Sequence, residues 1–318
     1  MTHRVTVARV LLPAGREMLE ERYDLVEGGL DSDRDSLFSL LPGSSALVAD
    51  PTVPVDGEVI EAAGPDLRVV ANFAVGYDNV DLEAAEAEGV VVTNTPDVLT
   101  DATAELAAGL AFAAARGIPE RERLLREGKW TGWDPGGFRG IELSGATVGV
   151  VGMGRIGTRF AQIIAGTAGR IVYSSRTDKP DPESELGAER MELDELLAVS
   201  DLVSVHLAAT PENHHLFDRE RISRMKPGAI LVNTARGSLV DAEAVAEALE
   251  SGQLGAVGLD VFENEPGVPR CLLDAPRAVL TPHIGSATFN ARDQMARTVA
   301  RNVIAVLGGE QPPNPVTS

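Results

Sequence analysis

The feature that most constrains this 318-residue chain is the run Gly152-Met153-Gly154-Arg155-Ile156-Gly157, which follows the apolar stretch Thr147 to Val151 and opens a helical pattern that is expected to run through Ala168. Few folds place G-x-G-x-x-G between a strand and a helix. In that setting the first glycine permits a tight turn, the second lets a pyrophosphate approach the backbone, and the third lets helix and strand pack closely. The start of the helix adds free N–H groups and partial positive charge, which suit phosphates. Gly152, Gly154, Arg155, Ile156 and Gly157 are therefore expected to bind a dinucleotide.

The surrounding pattern agrees with such a site. Downstream, the segments 170–174, 202–207, 229–233, 255–259 and 278–280 are short runs rich in Val, Leu and Ile, with helical stretches such as 242–250 between some of them. Runs of this kind are expected of parallel strands covered on both faces. Upstream, segments 5–12, 46–49, 67–72 and 90–93 read as strands, and 14–23 and 81–88 as helices. Two βα series suggest two domains, which a chain of this length allows. A long helix is expected at 101–116 with cap chemistry from Thr100 and Asp101. A loop rich in Gly and Trp follows at 128–140, and a last helix at about 287–307 stops at Gly308 and Gly309.

The second strand of the downstream series leads into Tyr173-Ser174-Ser175-Arg176-Thr177. A site selective for NAD usually has a carboxylate here for the ribose 2′-hydroxyl, and this chain has none until Asp178. The hydroxyls of Ser175 and Thr177 and the Arg176 guanidinium suit a 2′-phosphate instead. The expected cofactor is NADP(H) by preference, with NAD(H) possible.

Three further segments each follow a predicted strand: Asn233-Thr234-Ala235-Arg236-Gly237, Glu263-Asn264-Glu265-Pro266, and Thr281-Pro282-His283-Ile284-Gly285-Ser286. Ligands of open α/β sheets bind at the carboxyl ends of strands, so Arg236, Glu265 and His283 are expected to converge. Together they supply what reduction of a keto acid needs. The Arg fork grips a carboxylate at two points, the His carries a proton near neutral pH, and a neighbouring Glu favours the imidazolium and fixes its ring.

At this point the chain resembles the D-isomer-specific 2-hydroxyacid dehydrogenases over essentially its full length. The matching stretches are Asn72-Phe73-Ala74-Val75-Gly76-Tyr77-Asp78-Asn79, Thr93-Asn94-Thr95-Pro96-Asp97, the glycine loop, NTARG, GLDVFENEP and TPHIGSAT. Within that family DVLTDATAEL, YSSRT and PHIGSATFNAR are most similar to the glyoxylate/hydroxypyruvate reductases. The resemblance implies that Arg236 binds substrate, that His283 paired with Glu265 is the acid/base, and that the backbone amides of Val75 and Gly76 help hold the substrate carboxylate. It further implies that Asp260 binds the nicotinamide carboxamide, that Thr103, Leu207, Thr234, Ala235 and Gly285 lie along the cofactor, and that Trp133 reaches a neighbouring subunit's site in a homodimer. Ala208 stands where many relatives have a proline, which affects the local loop shape.

The expected fold is α/β, with two doubly wound parallel-sheet domains. A Rossmann-type dinucleotide-binding domain spans 100–285, and a flavodoxin-like substrate-binding domain combines 1–99 with 286–318. The active site is expected in the cleft between them. The expected reaction is NAD(P)H-dependent reduction of a small 2-keto acid, glyoxylate or hydroxypyruvate, to the D-2-hydroxy acid by hydride transfer, with His283 as proton donor. The alternatives are a 3-phosphoglycerate dehydrogenase and a non-catalytic cofactor-sensing scaffold of the same fold.

Charge narrows the partners. The chain has 48 acidic against 28 Lys and Arg residues, a net charge of −20, which repels nucleic-acid phosphates and anionic membranes. No stretch approaches the roughly 18–20 apolar residues needed to span a bilayer. Cys271 is the single cysteine, so no intrachain disulfide can form and a reducing cytoplasm is expected. His214 and His215 lack further Cys or His at ligand spacing, so no metal site is expected. His206, at the end of a buried run, reads as a structural hydrogen-bonding residue.

Overall fold

A computed structural model describes residues 3–316. The chain divides into two compact units, one drawn from Met1–Leu99 and Ser286–Ser318, the other from Thr100–Gly285.

The first unit is built on a five-stranded parallel sheet of β1 (Arg4–Val7), β2 (Asp24–Glu27), β3 (Ala46–Ala49), β4 (Val69–Asn72) and β5 (Val91–Thr93) in the order β2-β1-β3-β4-β5. This is the flavodoxin-like order. Every residue of β3 and β4 is buried, and these strands carry the unbroken apolar runs. β2 is an edge strand with no fully buried residue, which is why its sequence DLVE gives no strand signal. The strand expected at 5–12 ends at Val7. Ala8 N–H still reaches Val48 O at 2.9 Å, and the chain then enters a helix at Pro13–Glu20, where proline occupies the first turn and needs no N–H partner. Asp33, Asp56 and Asp81 each cap the helix that follows by accepting from a backbone N–H of its first turn. The last helix, Phe289–Leu307, is capped by Thr288 and packs on Pro13–Glu20 and on the sheet.

The second unit holds a seven-stranded sheet of β6 (Thr147–Val151), β7 (Arg170–Ser174), β8 (Glu189–Arg190), β9 (Leu202–Val205), β10 (Ala229–Asn233), β11 (Leu254–Leu259) and β12 (Ala278–Leu280). All neighbours are parallel, in the order β12-β11-β10-β9-β6-β7-β8. Counted from β6, this is the Rossmann order with one added strand, and the order reverses between β6 and β9. Alternate residues feed separate cores on the two faces. On β10, Ile230 and Val232 pack with the long helix Thr100–Arg116 and with Phe160, while Ala229 and Leu231 pack with Leu197, Phe217 and Leu249.

Three local features depart from the sequence pattern. The helix after the glycine loop ends at Ile164 rather than 168, because the chain turns at Ala165-Gly166 and the N–H groups of Thr167 and Ala168 return to the Ile164 carbonyl. A helix forms at Ile118–Arg126 where the sequence gives no helical signal; none of its residues is buried, so it has no apolar stripe to read. β8 is only two residues long and exposed. Among the described residues no helix is long and apolar enough to cross a membrane.

Candidate active site

The ladder register sets where the chemistry can occur. Ser174 pairs with Val151, Val151 with Val205, Val205 with Asn233, Asn233 with Leu259, and Leu259 with Leu280. The carboxyl ends of six strands therefore lie on one line, about 4.8 Å apart. The glycine loop leaves β6, Ser175-Arg176-Thr177 leaves β7, Leu207 follows β9, Arg236 follows β10, Asp260 and Glu265 follow β11, and His283 follows β12.

The glycine loop has the geometry a pyrophosphate requires. Gly152 has φ 96°, and a Cβ there would meet His206 O at 2.7 Å and Leu207 Cδ2 at 2.9 Å. At Gly157 a Cβ would lie 2.1 Å from Gly152 O, so helix and turn are packed too closely for any side chain. Gly154, the N-cap of the helix Arg155–Ile164, faces open space, with nothing within 4 Å of its would-be Cβ. Two glycines serve the protein's own packing and one leaves room above a helix start, which fits a dinucleotide phosphate.

On the next strand, the segment carrying Ser175, Arg176 and Thr177 is clamped from two sides. The buried Tyr173 hydroxyl accepts from Lys179 N–H at 2.9 Å and donates to Glu183. Burial, reinforced by the Glu183 contact, pushes the Tyr173 phenol up. From the edge strand β8, Arg190 donates to Ser175 O at 3.1 Å, to Arg176 O at 3.3 Å and to the Asp178 carboxylate at 2.7 Å. Arg176 and Thr177 are exposed and Ser175 is half-buried. Sequence reasoning missed Arg190, because a two-residue edge strand leaves no pattern and its partners lie 12–15 residues away.

The structure brings the three catalytic candidates together. His283 Nδ1 lies 2.6 Å from Glu265 Oε2, which leaves Nε2 as the nitrogen for proton transfer. Glu265 Oε1 accepts from Phe262 N–H of its own loop at 2.9 Å. Burial by itself would raise the Glu265 carboxyl, but the His283 and Phe262 hydrogen bonds and the positive charges of His283 and Arg236 outweigh it and hold it below the usual carboxylate range. Arg236 leaves β10 with extended backbone, its carbonyl accepting from the buried Asn233 amide at 2.8 Å while Asn233 Oδ1 accepts from Ala235 N–H at 2.9 Å. Next to it, a Cβ on Gly237 would lie 2.0 Å from the Phe262 carbonyl carbon, so the loops bearing Arg236 and Glu265 touch along their backbones.

Asp260 organises the turn that carries His283. It is fully buried. One oxygen accepts from the Thr281 hydroxyl at 2.6 Å and Ile284 N–H at 2.8 Å, the other from Gly285 N–H at 2.8 Å. Its carbonyl accepts from His283 N–H at 2.8 Å. Burial raises the Asp260 carboxyl despite these donors. His283 is held at φ 51°, a conformation uncommon for residues other than glycine and often found at functional sites. Thr103 donates to Gly285 O at 3.2 Å, which ties the long helix to the same turn. The Thr234 hydroxyl is buried without a partner among the described residues, an open position of the kind a bound ligand fills.

The His206 ring lies 5.2 Å from the Phe160 ring, with Nε2 2.9 Å from Ser204 Oγ. Burial drives its pKa down to about 3, so the ring is neutral. In the first unit, Ala74 O accepts from Thr95 N–H and Val75 O from the Asn94 amide, each at 2.8 Å. C=O and N–H point in opposite directions across a trans peptide, so the N–H groups of Val75 and Gly76 both turn away from Asn94 and Thr95. Two adjacent donors facing one way can bind a carboxylate. Trp133 is 85% exposed in the 128–140 loop and takes no part in the Arg236–Glu265–His283 cluster.

Comparison with known proteins agrees with this geometry. Residues 108–285 match the model of the D-isomer specific 2-hydroxyacid dehydrogenase, NAD binding domain. The chain is 46% identical to a glyoxylate reductase of Thermococcus onnurineus, over 98% of this chain and 95% of the relative. It is similar to the crystal structure of a glyoxylate reductase from Paecilomyes thermophila, at 32% identity and a TM-score of 0.88, with 99% and 98% of the two chains covered. An NADPH-dependent glyoxylate/hydroxypyruvate reductase from Sinorhizobium meliloti, solved with NADP and malonate, is 34% identical with a TM-score of 0.88 and covers 100% and 97%.

Proposed function

The chain belongs to the D-isomer specific 2-hydroxyacid dehydrogenase family, and from that premise we propose that it reduces glyoxylate to glycolate and hydroxypyruvate to D-glycerate with NADPH. The observation that carries this reading is the Arg236–Glu265–His283 cluster on the strand ends beside an open glycine loop. A nicotinamide bound there would supply a hydride to the carbonyl carbon of the keto acid. Charge then develops on the carbonyl oxygen, and protonated His283 donates to it from Nε2. Glu265 orients the ring through its contact with Nδ1. Arg236 grips the substrate carboxylate and helps polarise the carbonyl. The resemblance supports a role for the N–H groups of Val75 and Gly76 in holding the substrate carboxylate, with the first unit as the substrate-binding domain and Thr100–Gly285 as the dinucleotide-binding domain.

Gly152, Gly154, Arg155, Ile156 and Gly157 would hold the pyrophosphate. Ser175, Arg176 and Thr177 would hold the 2′-phosphate and favour NADP(H) over NAD(H). Thr103, Leu207, Thr234, Ala235 and Gly285 would line the cofactor, and Asp260 would meet the carboxamide while it holds the His283 turn. The exposed Trp133, Trp130 and Phe138 of one loop support a homodimer in which Trp133 reaches the partner's site. A single cysteine, Cys271, fits a reducing cytoplasm.

The test is NADPH oxidation followed by absorbance with glyoxylate, hydroxypyruvate, pyruvate and 3-phosphohydroxypyruvate, repeated with NADH. Turnover with the first two, and more with NADPH than NADH, is expected. Turnover confined to the phosphorylated substrate, or none with any keto acid, overturns the reading.

A further inference from the structure

His214 and His215 adjoin the short turn Pro211–Asn213 and have no further Cys or His at ligand spacing in the sequence. The fold supplies the missing partner from a distance. Glu263, from the loop after β11, lies 49 and 48 residues away in the chain. His214 Nε2 is 2.8 Å from Glu263 Oε1, and His215 Nε2 is 3.0 Å from Glu263 Oε2. The two rings are stacked, 4.0 Å between centroids and 23° between planes. Side chains of adjacent residues usually diverge. Here His215 takes φ 47°, its N–H donates to Ser238 O at 2.7 Å, and both Nε2 atoms face the same carboxylate.

One donor atom from each residue lies within 4.8 Å of the other two. Zinc bonds of about 2.0–2.2 Å to N and O set tetrahedral ligand atoms about 3.4 Å apart, so small side-chain rotations close the set. All three side chains reach solvent, at 52%, 34% and 36% exposure, which leaves an entry path and room for water. Two imidazoles and one carboxylate suit a borderline transition cation; Mg²⁺ and Ca²⁺ call for oxygen ligands. The net charge of −20 raises the local concentration of cations around the molecule.

We propose that His214, His215 and Glu263 form a binding site for a divalent cation of the zinc class, with three protein ligands and a solvent-open position. The cation replaces the two imidazole–carboxylate hydrogen bonds. It ties the segment after β9 to the loop after β11, two residues before Glu265.

The experiment titrates ZnCl2 into the chelator-treated full-length protein by calorimetry and follows thermal melting alongside. One equivalent should bind and raise the melting temperature, whereas MgCl2 should do neither. Glu263→Gln and the double variant His214→Asn, His215→Asn should weaken that equivalent more than about tenfold, with circular dichroism unchanged. Asn tolerates the positive φ at 215, so the backbone should survive. His283→Asn and Cys271→Ser should bind zinc as the unmodified chain does. No uptake of zinc, uptake unchanged in the Glu263 and His214/His215 variants, or loss of the equivalent in His283→Asn or Cys271→Ser would overturn the assignment.

Discussion

At the scale of single residues, the proposed reaction rests on one proton donor, His283, and on Glu265 as its partner. His283→Ala removes the donor, so turnover should fall by about 10²–10⁴, while the dissociation constant for NADPH, measured by fluorescence quenching, stays near that of the unmodified enzyme. Glu265→Gln keeps the shape and removes the charge. Glu265 is the partner that fixes the ring through Nδ1, so in the proposed reaction Glu265→Gln should lower kcat while leaving the dissociation constant for NADPH near that of the unmodified enzyme. Full turnover in this variant would exclude the Glu–His pair as the donor system. The Glu265 carboxyl is itself held below its usual range. Its contribution to stability is therefore fully present above the ordinary Glu pKa and is lost only as pH falls through the depressed value.

At the scale of elements, the strand-end loops are positioned by contacts that leave little freedom. A methyl group at Gly157 would sit 2.1 Å from Gly152 O. Gly157→Ala should thus force the helix away from the turn, cost about 1–3 kcal/mol, lower the melting temperature by several degrees and weaken both NADPH and NADH. Arg176→Ala should act differently. A charge-assisted contact to a 2′-phosphate, discounted for solvent exposure, amounts to about tenfold in affinity. KM for NADPH should rise by that order with KM for NADH almost unchanged, and equal losses would exclude Arg176 as the discriminating residue. The Arg190 clamp on the Ser175 and Arg176 carbonyls holds this segment in place before any ligand arrives.

At the scale of the whole molecule, one segment carries several exposed apolar side chains close together in sequence. Ile118, Leu125, Trp130, Trp133 and Phe138 all lie between residues 118 and 138, each more than 40% exposed. The helix Ile118–Arg126 buries none of its residues within its own chain. Side chains of this kind usually find a partner surface. Sedimentation equilibrium should therefore give a dimer, and Trp133→Ala should change the ratio of kcat/KM between glyoxylate and hydroxypyruvate while leaving cofactor affinity alone. A fully active monomer would exclude this arrangement.

Much of the fold is legible in the sequence because its signals are local. The glycine loop reads from six consecutive residues, and β3, β4 and β10 read from apolar runs that are apolar because both sheet faces are covered. Arg236, Glu265 and His283 can be grouped from sequence because each follows a strand, and parallel strands share a carboxyl edge. The edge strands β2 and β8 and the exposed helix Ile118–Arg126 lack a buried face, so they leave no periodicity to detect. Long-range contacts alone settle that Asp260 commits three hydrogen bonds to the His283 turn, that Arg190 clamps the segment after β7, and that Glu263 meets His214 and His215. Hydrophobic periodicity records which residues are buried. Which polar side chains meet depends on ladder register and loop path, and these bring together groups that no local stretch of sequence contains.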